Sequence, residues 1–444
     1  MNYGFNPNIK TIVIDNGTGY TKMGYAGNLD PDFIIPTAIA ELNKKSNLST
    51  SNKTDEFNYA IGYDAINLAR ESSNHSVIYP MADGLISNWD HMEKYWNHSL
   101  FHYMRCDPEN HYFVLTEPPM NPPENRENIA EIFFETFNVA GLYIGVQATF
   151  ALLGCNTTVS QEMLDKNSKL SEETKEDQIK AIKSLTGTVI DSGDGVTHIV
   201  PICDGYVLGS NIKHIPIAGR KITKFIMDLM KDRGEKVPNE DFIYVARDVK
   251  EKYGYVCRDL LDEYSKFDEK KNINGVQSLS SKYKTYTGTG QITKKPFSVD
   301  VGHEIFLGPE AFFSPEIIDK NYTQSIDEIC DMTIQSCPVD YRRRLYSNIV
   351  LSGGSTMFKY FDRRLELDLQ KKVNDRLERF SGTDLKPKPI KVNVTTGLSK
   401  QHSVWLGGST FAEMPQFSKA LHTREEYLER GPTCCRFNPV FGFS

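Results

Sequence analysis

The sequence lacks the excess of basic residues and the long apolar runs that mark nucleic-acid-binding and membrane-spanning proteins. Its 51 Lys and Arg residues are outnumbered by 58 Asp and Glu residues, which gives a formal net charge of −7. A protein that grips the phosphate backbone of a nucleic acid needs the opposite balance. No stretch approaches the roughly 20 consecutive apolar residues that cross a bilayer. We therefore expect no nucleic acid among its partners and no membrane insertion.

A secretory signal and metal-ligand cysteine spacing are also missing. Residues 1–10 have neither the basic region nor the apolar region of a signal peptide. Eight cysteines occur, but none forms a CxxC pair, the arrangement on which many zinc sites are built. The pattern predicts reduced thiols in a cytoplasmic protein rather than disulfides or a metal site.

What the chain does contain is an ordinary globular composition. Hydrophobic residues make up 39% and charged residues 25% of its 444 residues, which excludes wholesale disorder. A chain of this length is expected to form roughly two to four domains.

One short pattern occurs twice and organises the rest of the sequence. Each copy is a run rich in β-branched residues that ends in the pentapeptide D-x-G-x-G and continues into a second predicted strand. The copies are Thr11–Ile14, Asp15–Gly19 and Tyr20–Tyr25, and then Gly187–Ile190, Asp191–Gly195 and Val196–Ile202. Glycine-rich turns between such runs predict β-hairpins. Two copies near the starts of two long segments predict two related domains that face each other.

Helical patterns lie between and after the predicted hairpins. Apolar residues recur at helical spacing across residues 222–230, and Gly234 ends that pattern. A further predicted strand, Ile349–Leu351, leads into Gly353 and Gly354. Strands that alternate with helices predict an α/β fold.

The residues of the two turns suit a polyphosphate held between them. Glycine lets backbone N–H groups approach a phosphate closely because no Cβ atom intervenes. The turns also carry the carboxylates Asp15, Asp191 and Asp194, which would repel phosphate oxygens unless a hard cation lay between them. The combination predicts Mg²⁺ held largely through its own waters, with Lys22 neutralising phosphate charge. The alternative is that the two turns merely close hairpins.

Other positions are candidates whose meaning depends on where they lie. Gly353 and Gly354 offer bare backbone for an adenine or ribose, although two packing glycines would have the same sequence. His198 follows the second turn, and Gln147 is a polar residue in an apolar helical segment. Both are structural residues by default. They become functional only where they converge on a γ-phosphate, since phosphoryl transfer mainly needs a positioned water and a charge sink.

Together these motifs resemble the ATPase superfamily of actin, heat-shock protein 70 and the sugar kinases, and within it the actin family. The resemblance covers the chain except for the polar stretch 41–56 and the charged stretch 156–183. The segments similar to actin are Thr116–Pro122, Asn125–Glu127, Phe134–Val139, Asp191–His198, Leu351–Met357 and Val404–Ser409. Those similar more narrowly to actin-related proteins are Ile212–Arg220, Phe306–Glu310, Leu385–Pro389 and Arg436–Gly442.

The resemblance implies an actin-like α/β fold in which two related domains hinge around a nucleotide cleft. The small domain would comprise residues 1–154 with 403–444 and carry an insertion near 41–56. The large domain would comprise residues 155–402 and carry a charged insertion near 156–183.

The resemblance also assigns roles to the residues singled out above. Asp15 and Asp191 would hold a hydrated Mg²⁺ beside ATP, Gln147 would orient the attacking water, and His198 would help to relay its proton. The other nucleotide contacts would be Asn16, Gly17, Thr18, Gly19, Tyr20, Lys22, Gly193, Asp194, Gly195 and Val196 at the phosphates, Lys250 and Glu251 at the sugar, and Gly353, Gly354, Met357 and Phe358 on the adenosine side. One position departs from the family, because Gln401 stands where Lys or Arg usually contacts the adenine.

The implied function is that of a mainly structural subunit, at most a slow ATPase, in a seven-subunit cytoskeletal complex that nucleates branched actin filaments. Its partners would be a second actin-related protein, the other subunits, actin and nucleation-promoting activators. In actin, the loop equivalent to residues 41–56 carries small apolar residues that plug into the next subunit. Here that loop offers only Leu42 and Leu48. Leu153, Phe411 and Met414 are candidates for the apolar cleft that accepts such a plug.

Other functions remain open at this stage. A conventional filament-forming actin is the nearest alternative, and the altered loop and the tail argue against it. A sugar or metabolite kinase is disfavoured because no motif places an acidic base for a substrate hydroxyl. A chaperone-like ATPase is disfavoured because no substrate-binding domain follows.

Overall fold

The computed structural model describes most of the chain. The described residues are 5–41, 59–71, 76–165, 184–268, 271–273, 276–278, 282–379, 388–397 and 400–437. The predicted insertion at 41–56, except for Glu41, and residues 166–183 of the charged insertion lie outside them.

The strands lie in both halves of the sequence. They are β1 (Lys10–Asn16), β2 (Tyr20–Tyr25), β3 (Phe33–Pro36), β4 (Ile39–Glu41), β5 (Tyr59–Ile61), β6 (Met81–Ala82), β7 (Leu85–Ile86), β8 (His111–Glu117), β9 (Gly141–Val146), β10 (Gly187–Ser192), β11 (Thr197–Cys203), β12 (Tyr206–Val207), β13 (Lys213–Ile215), β14 (Lys271–Ile273), β15 (Val276–Ser278), β16 (Lys284–Thr289), β17 (Pro296–Val301), β18 (Ile349–Ser352), β19 (Val394–Thr395) and β20 (His422–Thr423).

Helices separate the strands. They are α1 (Gly62–Glu71), α2 (Trp89–His98), α3 (Pro123–Glu131), α4 (Gln147–Asp165), α5 (Gly219–Asp232), α6 (Phe242–Tyr253), α7 (Leu260–Asp268), α8 (Glu304–Glu310), α9 (Ile326–Ser336), α10 (Val339–Ser347), α11 (Phe361–Glu378), α12 (Ser403–Ala412), α13 (Phe417–Ala420) and α14 (Arg424–Arg430). Among the helices of the described ranges, none combines the length and the apolar character needed to span a bilayer.

Two mixed sheets repeat one arrangement of strands. The first sheet has the order β20-β9-β8-β1-β2-β3, and the second has the order β12-β11-β10-β18-β19 with β13 also paired to β11. Strand β1 pairs in parallel with β8 and antiparallel with β2, just as β10 pairs in parallel with β18 and antiparallel with β11. The duplicated hairpin predicted from the sequence is thus part of a duplicated sheet, and the predicted α/β class is confirmed.

The central strands are apolar on both sides because each sheet is covered on both faces. Ile12 and Ile14 pack in one buried cluster, whereas Val13 between them packs in another. In the second sheet Ile190 and its neighbour Val189 divide in the same way. Uninterrupted β-branched runs of this kind are what a sheet buried on both faces requires.

A close pair of helices lies where the two sheets meet. Val13 of the first sheet and Val189 of the second belong to one buried cluster that also includes side chains of α4 and α12. The two helices approach so closely that a Cβ atom on Gly407 would lie 1.8 Å from the carbonyl oxygen of Phe150, and one on Gly154 would lie 2.4 Å from that of Ser403. Only glycine fits at these two positions.

The predicted domain boundaries fall at this helix pair. The boundary at 154/155 lies inside α4, and the boundary at 402/403 lies at the start of α12. The first ten residues of the predicted charged insertion, 156–165, continue α4, and Asn156 is buried, accepting a hydrogen bond from Asn348 at 3.3 Å. That the helix pair is a hinge between two domains stays a proposal.

Candidate functional site

The first hairpin places a carboxylate and an ammonium group opposite each other. The Gly17 N–H donates to the Tyr20 carbonyl at 3.1 Å and closes the turn between β1 and β2. Asp15 pairs across the strands with Lys22, whose Nζ lies 2.7 Å from Asp15 Oδ2. The turn is supported from behind, since the Thr37 hydroxyl donates to the Gly17 carbonyl at 2.7 Å.

The second hairpin has the same turn and a different cross-strand partner. The Gly193 N–H donates to the Val196 carbonyl at 3.2 Å, and Asp191 pairs across the strands with His198. The start of α5 supports this turn, because the Gly219 N–H donates to the Gly193 carbonyl at 3.0 Å.

The two turns face each other at close range. A Cβ atom on Gly19 of the first turn would lie 2.9 Å from the Cβ of Asp194 in the second turn. A Cβ atom on Gly195 would lie 3.0 Å from Thr18 Oγ1. A side chain at either position would crowd the opposite hairpin, most closely at Gly19, which gives a physical reason for the repeated glycines of the D-x-G-x-G pattern.

The hairpins form one end of a cavity of about 580 Å³ between the two sheets. Every residue that the sequence analysis singled out for a nucleotide or its metal lines this cavity. These residues are Asp15, Asn16, Gly17, Thr18, Gly19, Tyr20, Lys22, Gln147, Asp191, Gly193, Asp194, Gly195, Val196, His198, Lys250, Glu251, Gly353, Gly354, Met357 and Phe358.

Both carboxylate oxygens of Asp15 have a hydrogen-bond donor beside them. The side chain is buried, Oδ2 accepts from Lys22, and Oδ1 accepts from the Thr116 hydroxyl at 2.7 Å. The charge of this carboxylate is thus balanced within the first hairpin. Lys22, which the sequence analysis assigned to phosphate, is held here by Asp15.

Asp191 has no such cation opposite it. Burial raises the pKa of its carboxyl, a hydrogen bond from the Ser352 hydroxyl lowers it, and the nearby negative charge of Asp15 raises it again. Because the rise dominates, the ionised form of Asp191 is less stable than that of an ordinary aspartate. A cation placed beside it would restore the charge, so this carboxylate is the stronger candidate for a metal-facing group.

Gln147 is anchored at the first hairpin by its amide nitrogen. Nε2 donates to the Asn16 carbonyl at 3.2 Å and lies 3.3 Å from Thr116 Oγ1 and 3.4 Å from Asp15 Oδ1. The anchored nitrogen leaves the amide oxygen as the atom that could accept a hydrogen bond from a water in the cavity. This accounts for an amide at the start of α4, next to the mainly apolar segment Ala148–Leu153.

His198 is a neutral imidazole in the second hairpin. Both ring nitrogens are buried without a hydrogen-bond partner among the residues that the structure describes. Burial, together with the neighbouring His214, lowers the pKa of His198 to about 4. The ring therefore stays uncharged at neutral pH, with one nitrogen available as an acceptor.

Helix α6 and the turn after β18 also line the cavity, beside the second hairpin, whose Gly193 carbonyl accepts from the Ser355 hydroxyl at 2.7 Å. Lys250 is buried, its Nζ donates to the Gly219 carbonyl at 3.2 Å, and burial lowers its pKa. A Cβ atom on Gly354 or Gly193 would meet no other atom within 4 Å, so the backbone at these positions borders open space. Open backbone beside carboxylates and a lysine fits a nucleotide with its Mg²⁺.

The cavity also contains residues that the sequence analysis did not assign to it. They are Ile34, Tyr63, Gly84, Pro118, Gly219, Gly254, Ser352, Ser355 and Val404, together with Gln401, which it considered only for adenine contact. Ser352 is the one among them that the sequence could have indicated. It lies on the strand after the repeated motif, directly beside Asp191, as Thr116 lies beside Asp15.

The predicted apolar cleft for a partner's plug is wrong in two of its three residues. Leu153 is 6% exposed and Phe411 is 2% exposed, and both belong to the buried cluster between the sheets. Phe411 packs against Tyr143 and Phe417, with ring centroids 4.9 Å and 5.8 Å away. Both side chains are core residues and are not available to a partner, whereas Met414 is partly exposed.

Comparison with known proteins gives one consistent result. The family model for actin matches residues 6–438. The chain is 48% identical over 441 residues to actin-related protein 3 of Dictyostelium discoideum and 49% identical over 446 residues to actin-related protein 3 of Caenorhabditis elegans. It is 46% identical over 448 residues to actin-related protein 3 of Acanthamoeba castellanii. Each match covers 98% of both proteins.

Proposed function

Because this chain belongs to the actin family, we propose that it is an ATP- and Mg²⁺-binding subunit of the actin-related protein 2/3 complex, which nucleates branched actin filaments. Its location would be the cytoplasm, in the actin cytoskeleton. Similarity to actin-related protein 3 along nearly the whole chain supports this proposal over that of a metabolite kinase. The partners would be actin-related protein 2, the remaining subunits of the seven-subunit complex, actin and nucleation-promoting activators.

The observation that carries the nucleotide part of the proposal is the pair of facing hairpins. Two glycine turns and the carboxylates Asp15, Asp191 and Asp194 line one cavity, and the glycines let the turns lie close to each other. Turns that only closed hairpins would not need to meet each other across a cavity. This favours a polyphosphate site over the purely structural alternative.

In the proposed site each group has a physical task. Asp15 and Asp191 would hold the hydrated Mg²⁺, which neutralises charge on the phosphate oxygens. The turn backbones and Lys22 would bind the phosphates, with Lys22 exchanging its present partner Asp15 for them. Lys250 and Glu251 would contact the sugar, and Gly353, Gly354, Met357 and Phe358 the adenosine side.

Hydrolysis in this site would be slow. Gln147, anchored by Nε2, would orient a water through its amide oxygen, and the neutral His198 would accept or relay the proton. Both groups act by position, since phosphoryl transfer needs little covalent chemistry from the protein. We expect the nucleotide to serve mainly a structural role.

The nucleotide proposal is tested by replacing the uncompensated carboxylate. Asp191→Ala should weaken Mg²⁺-dependent ATP binding by roughly ten- to hundredfold, since a charge-assisted contact contributes about 1.5–3 kcal/mol. The measurement is titration calorimetry of the full chain with and without Mg²⁺. Asp232→Ala, at an exposed position at the end of α5, is the matched control and should bind normally. Equal Mg²⁺-dependent affinity in Asp191→Ala and wild type would contradict the assignment.

The complex is tested by purification of the tagged full chain from its own cells. Mass spectrometry of the co-purifying chains should identify a second actin-related protein and further subunits. The assembly, with an activator, should shorten the lag of fluorescent actin polymerisation, whereas the isolated chain should form no filaments at micromolar concentration. Filaments of the chain alone would support a conventional actin and contradict the proposal.

A further inference from the structure

A second cluster of metal-ligating side chains lies at the edge of the first sheet, away from the nucleotide cavity. His422 stands in β20, which pairs with β9, and Cys434 and Cys435 form the end of the 3₁₀ turn Pro432–Cys435. The helix α14 connects the two elements. The three side chains are buried, with 8%, 3% and 2% of their surfaces exposed.

The spacing of the three groups fits one ion. A ring nitrogen of His422 and the sulfurs of Cys434 and Cys435 all lie within 4.8 Å of one another. The two sulfurs are 3.7 Å apart. In tetrahedral zinc coordination with Zn–S bonds of about 2.3 Å, two sulfur ligands are about 3.8 Å apart. The sulfur pair already has the separation that Zn²⁺ requires.

The His422 imidazole also has the hydrogen bonding that is typical of a metal ligand. Nδ1 of His422 lies 3.0 Å from Glu426 Oε2, while Nε2 is buried without a hydrogen-bond partner in the described part of the chain. Metal-bound histidines characteristically donate their other ring N–H to a carboxylate, which fixes the ring and its tautomer. The Glu426 carboxylate is itself paired with Arg430, and the Glu426 backbone N–H donates to the capping hydroxyl of Thr423.

The two thiols also lie within hydrogen-bonding distance of each other, with either sulfur as the possible donor. Thiolate is the form of cysteine that binds metal. Binding of a divalent ion would therefore displace the protons of both thiols.

We propose that His422, Cys434 and Cys435 form a Zn²⁺ site with three protein ligands and an open fourth position. Glu426 is its positioning residue. The ion ties the turn Pro432–Cys435 to the edge strand β20, so it fixes the carboxyl-terminal segment against the first sheet. Neither the sequence spacing of the cysteines nor the nucleotide cavity accounts for this cluster.

The experiment uses the reduced full chain and Co²⁺, whose thiolate and ligand-field absorption bands report its ligands. We expect one Co²⁺ per chain with thiolate-to-metal bands, which one equivalent of Zn²⁺ abolishes. His422→Asn, Cys434→Ser and Cys435→Ser should lose or strongly weaken these bands. Cys257→Ser is the matched control, since this buried thiol, bonded to Glu310, lies in the core of the other half and should change nothing.

The positioning role of Glu426 has its own measurement. Glu426→Gln should weaken Zn²⁺ binding by about 10- to 100-fold in competition with a chromogenic chelator while keeping the thiolate bands. Affinity should also fall as the pH is lowered, because protons compete for the thiols.

A measurement on the wild-type chain keeps the proposal testable where a variant fails to fold. Zn²⁺ should protect Cys434 and Cys435 from alkylation, as located by peptide mass spectrometry, and leave Cys257 unchanged. Absence of thiolate bands in the wild-type chain, or bands that persist in His422→Asn, would overturn the proposal. Alkylation of Cys434 and Cys435 at an unchanged rate with Zn²⁺ would also overturn it.

Discussion

The first and second hairpins have the same backbone and different chemistry. In each, a glycine N–H closes the turn onto the residue three positions later, and an aspartate stands two residues before that glycine. Opposite the aspartate is Lys22 in the first hairpin and His198 in the second. Asp15 is therefore neutralised by a fixed cation, whereas Asp191 faces an uncharged ring. The two hairpins thus share a shape and differ in their electrostatics, and Asp191 is the less compensated of the two carboxylates.

The largest effect should come from removing the cation of the first hairpin. Lys22→Gln leaves Asp15 buried without its ion-pair partner, and breaking such a pair from one side costs about 3–5 kcal/mol. His198→Gln at the equivalent position exchanges one neutral group for another and should change stability by less than about 1 kcal/mol at pH 7.5. Denaturant unfolding of both variants measures the difference.

The double variant Asp15→Asn with Lys22→Gln is the control for this comparison. It removes both charges, so much of the stability lost in Lys22→Gln should return. Equal losses in Lys22→Gln and His198→Gln would show that the two hairpins are not divided electrostatically as inferred.

The second effect concerns acid stability and arises in the second hairpin. His198 has a pKa of about 4 in the folded chain, below the value of about 6.5 for an exposed histidine. Between these values the unfolded chain binds more protons, so stability falls as the pH is lowered, by at most about 3 kcal/mol from this residue. His198→Gln should flatten the plot of unfolding free energy against pH between 7 and 4.

His214→Gln sharpens that test. It leaves the buried ring in place and removes only the neighbouring histidine that contributes to the shift. Its plot should keep most of the wild-type slope. Parallel plots for wild type and His198→Gln would mean that His198 is not the group that titrates.

A smaller effect should appear in catalysis. Gln147→Ala should slow single-turnover ATP cleavage by about tenfold, because it removes the group that positions the water and leaves the phosphate contacts in place. ATP affinity, measured on the same variant, should stay close to wild type. An unaltered cleavage rate would mean that Gln147 does not position the water and only supports the backbone at Asn16.

The sequence predicted the parts of the fold that depend on local chemistry. The β-branched runs and glycine turns predicted β2 at its observed bounds and both β-hairpins. The glycines at 19 and 195 could be predicted because a side chain at either position would crowd the opposite hairpin. The actin-family assignment is confirmed by comparison, whereas the roles of the site residues stay predictions.

Features that depend on distant contacts could not be predicted in this way. Phe411 is a large apolar residue of a type that is common at interfaces. Only the packing of α12 against β9 and α4 shows that it is buried. His422 and Cys434 are twelve positions apart, so no ligand motif links them until α14 brings the chain back. The apolar character of a side chain and the spacing of residues in the sequence do not specify which face of a helix or strand is packed against the rest of the protein.

The smallest expected effect compares the two hydroxyls that support the carboxylates. The Ser352 hydroxyl lowers the pKa of Asp191, and the Thr116 hydroxyl donates to Asp15 at an equivalent place. Ser352→Ala should raise the pKa of Asp191 further and weaken Mg²⁺-dependent ATP binding by about 1 kcal/mol, roughly fivefold, at pH 6. The loss should shrink at pH 8, where the carboxyl ionises more fully. Thr116→Val should have a smaller effect at either pH, because Asp15 lies beside the ammonium group of Lys22, 2.7 Å from Oδ2. Calorimetric titrations of both variants at the two pH values give the comparison, and equal losses would show that Asp15 and Asp191 are electrostatically equivalent after all.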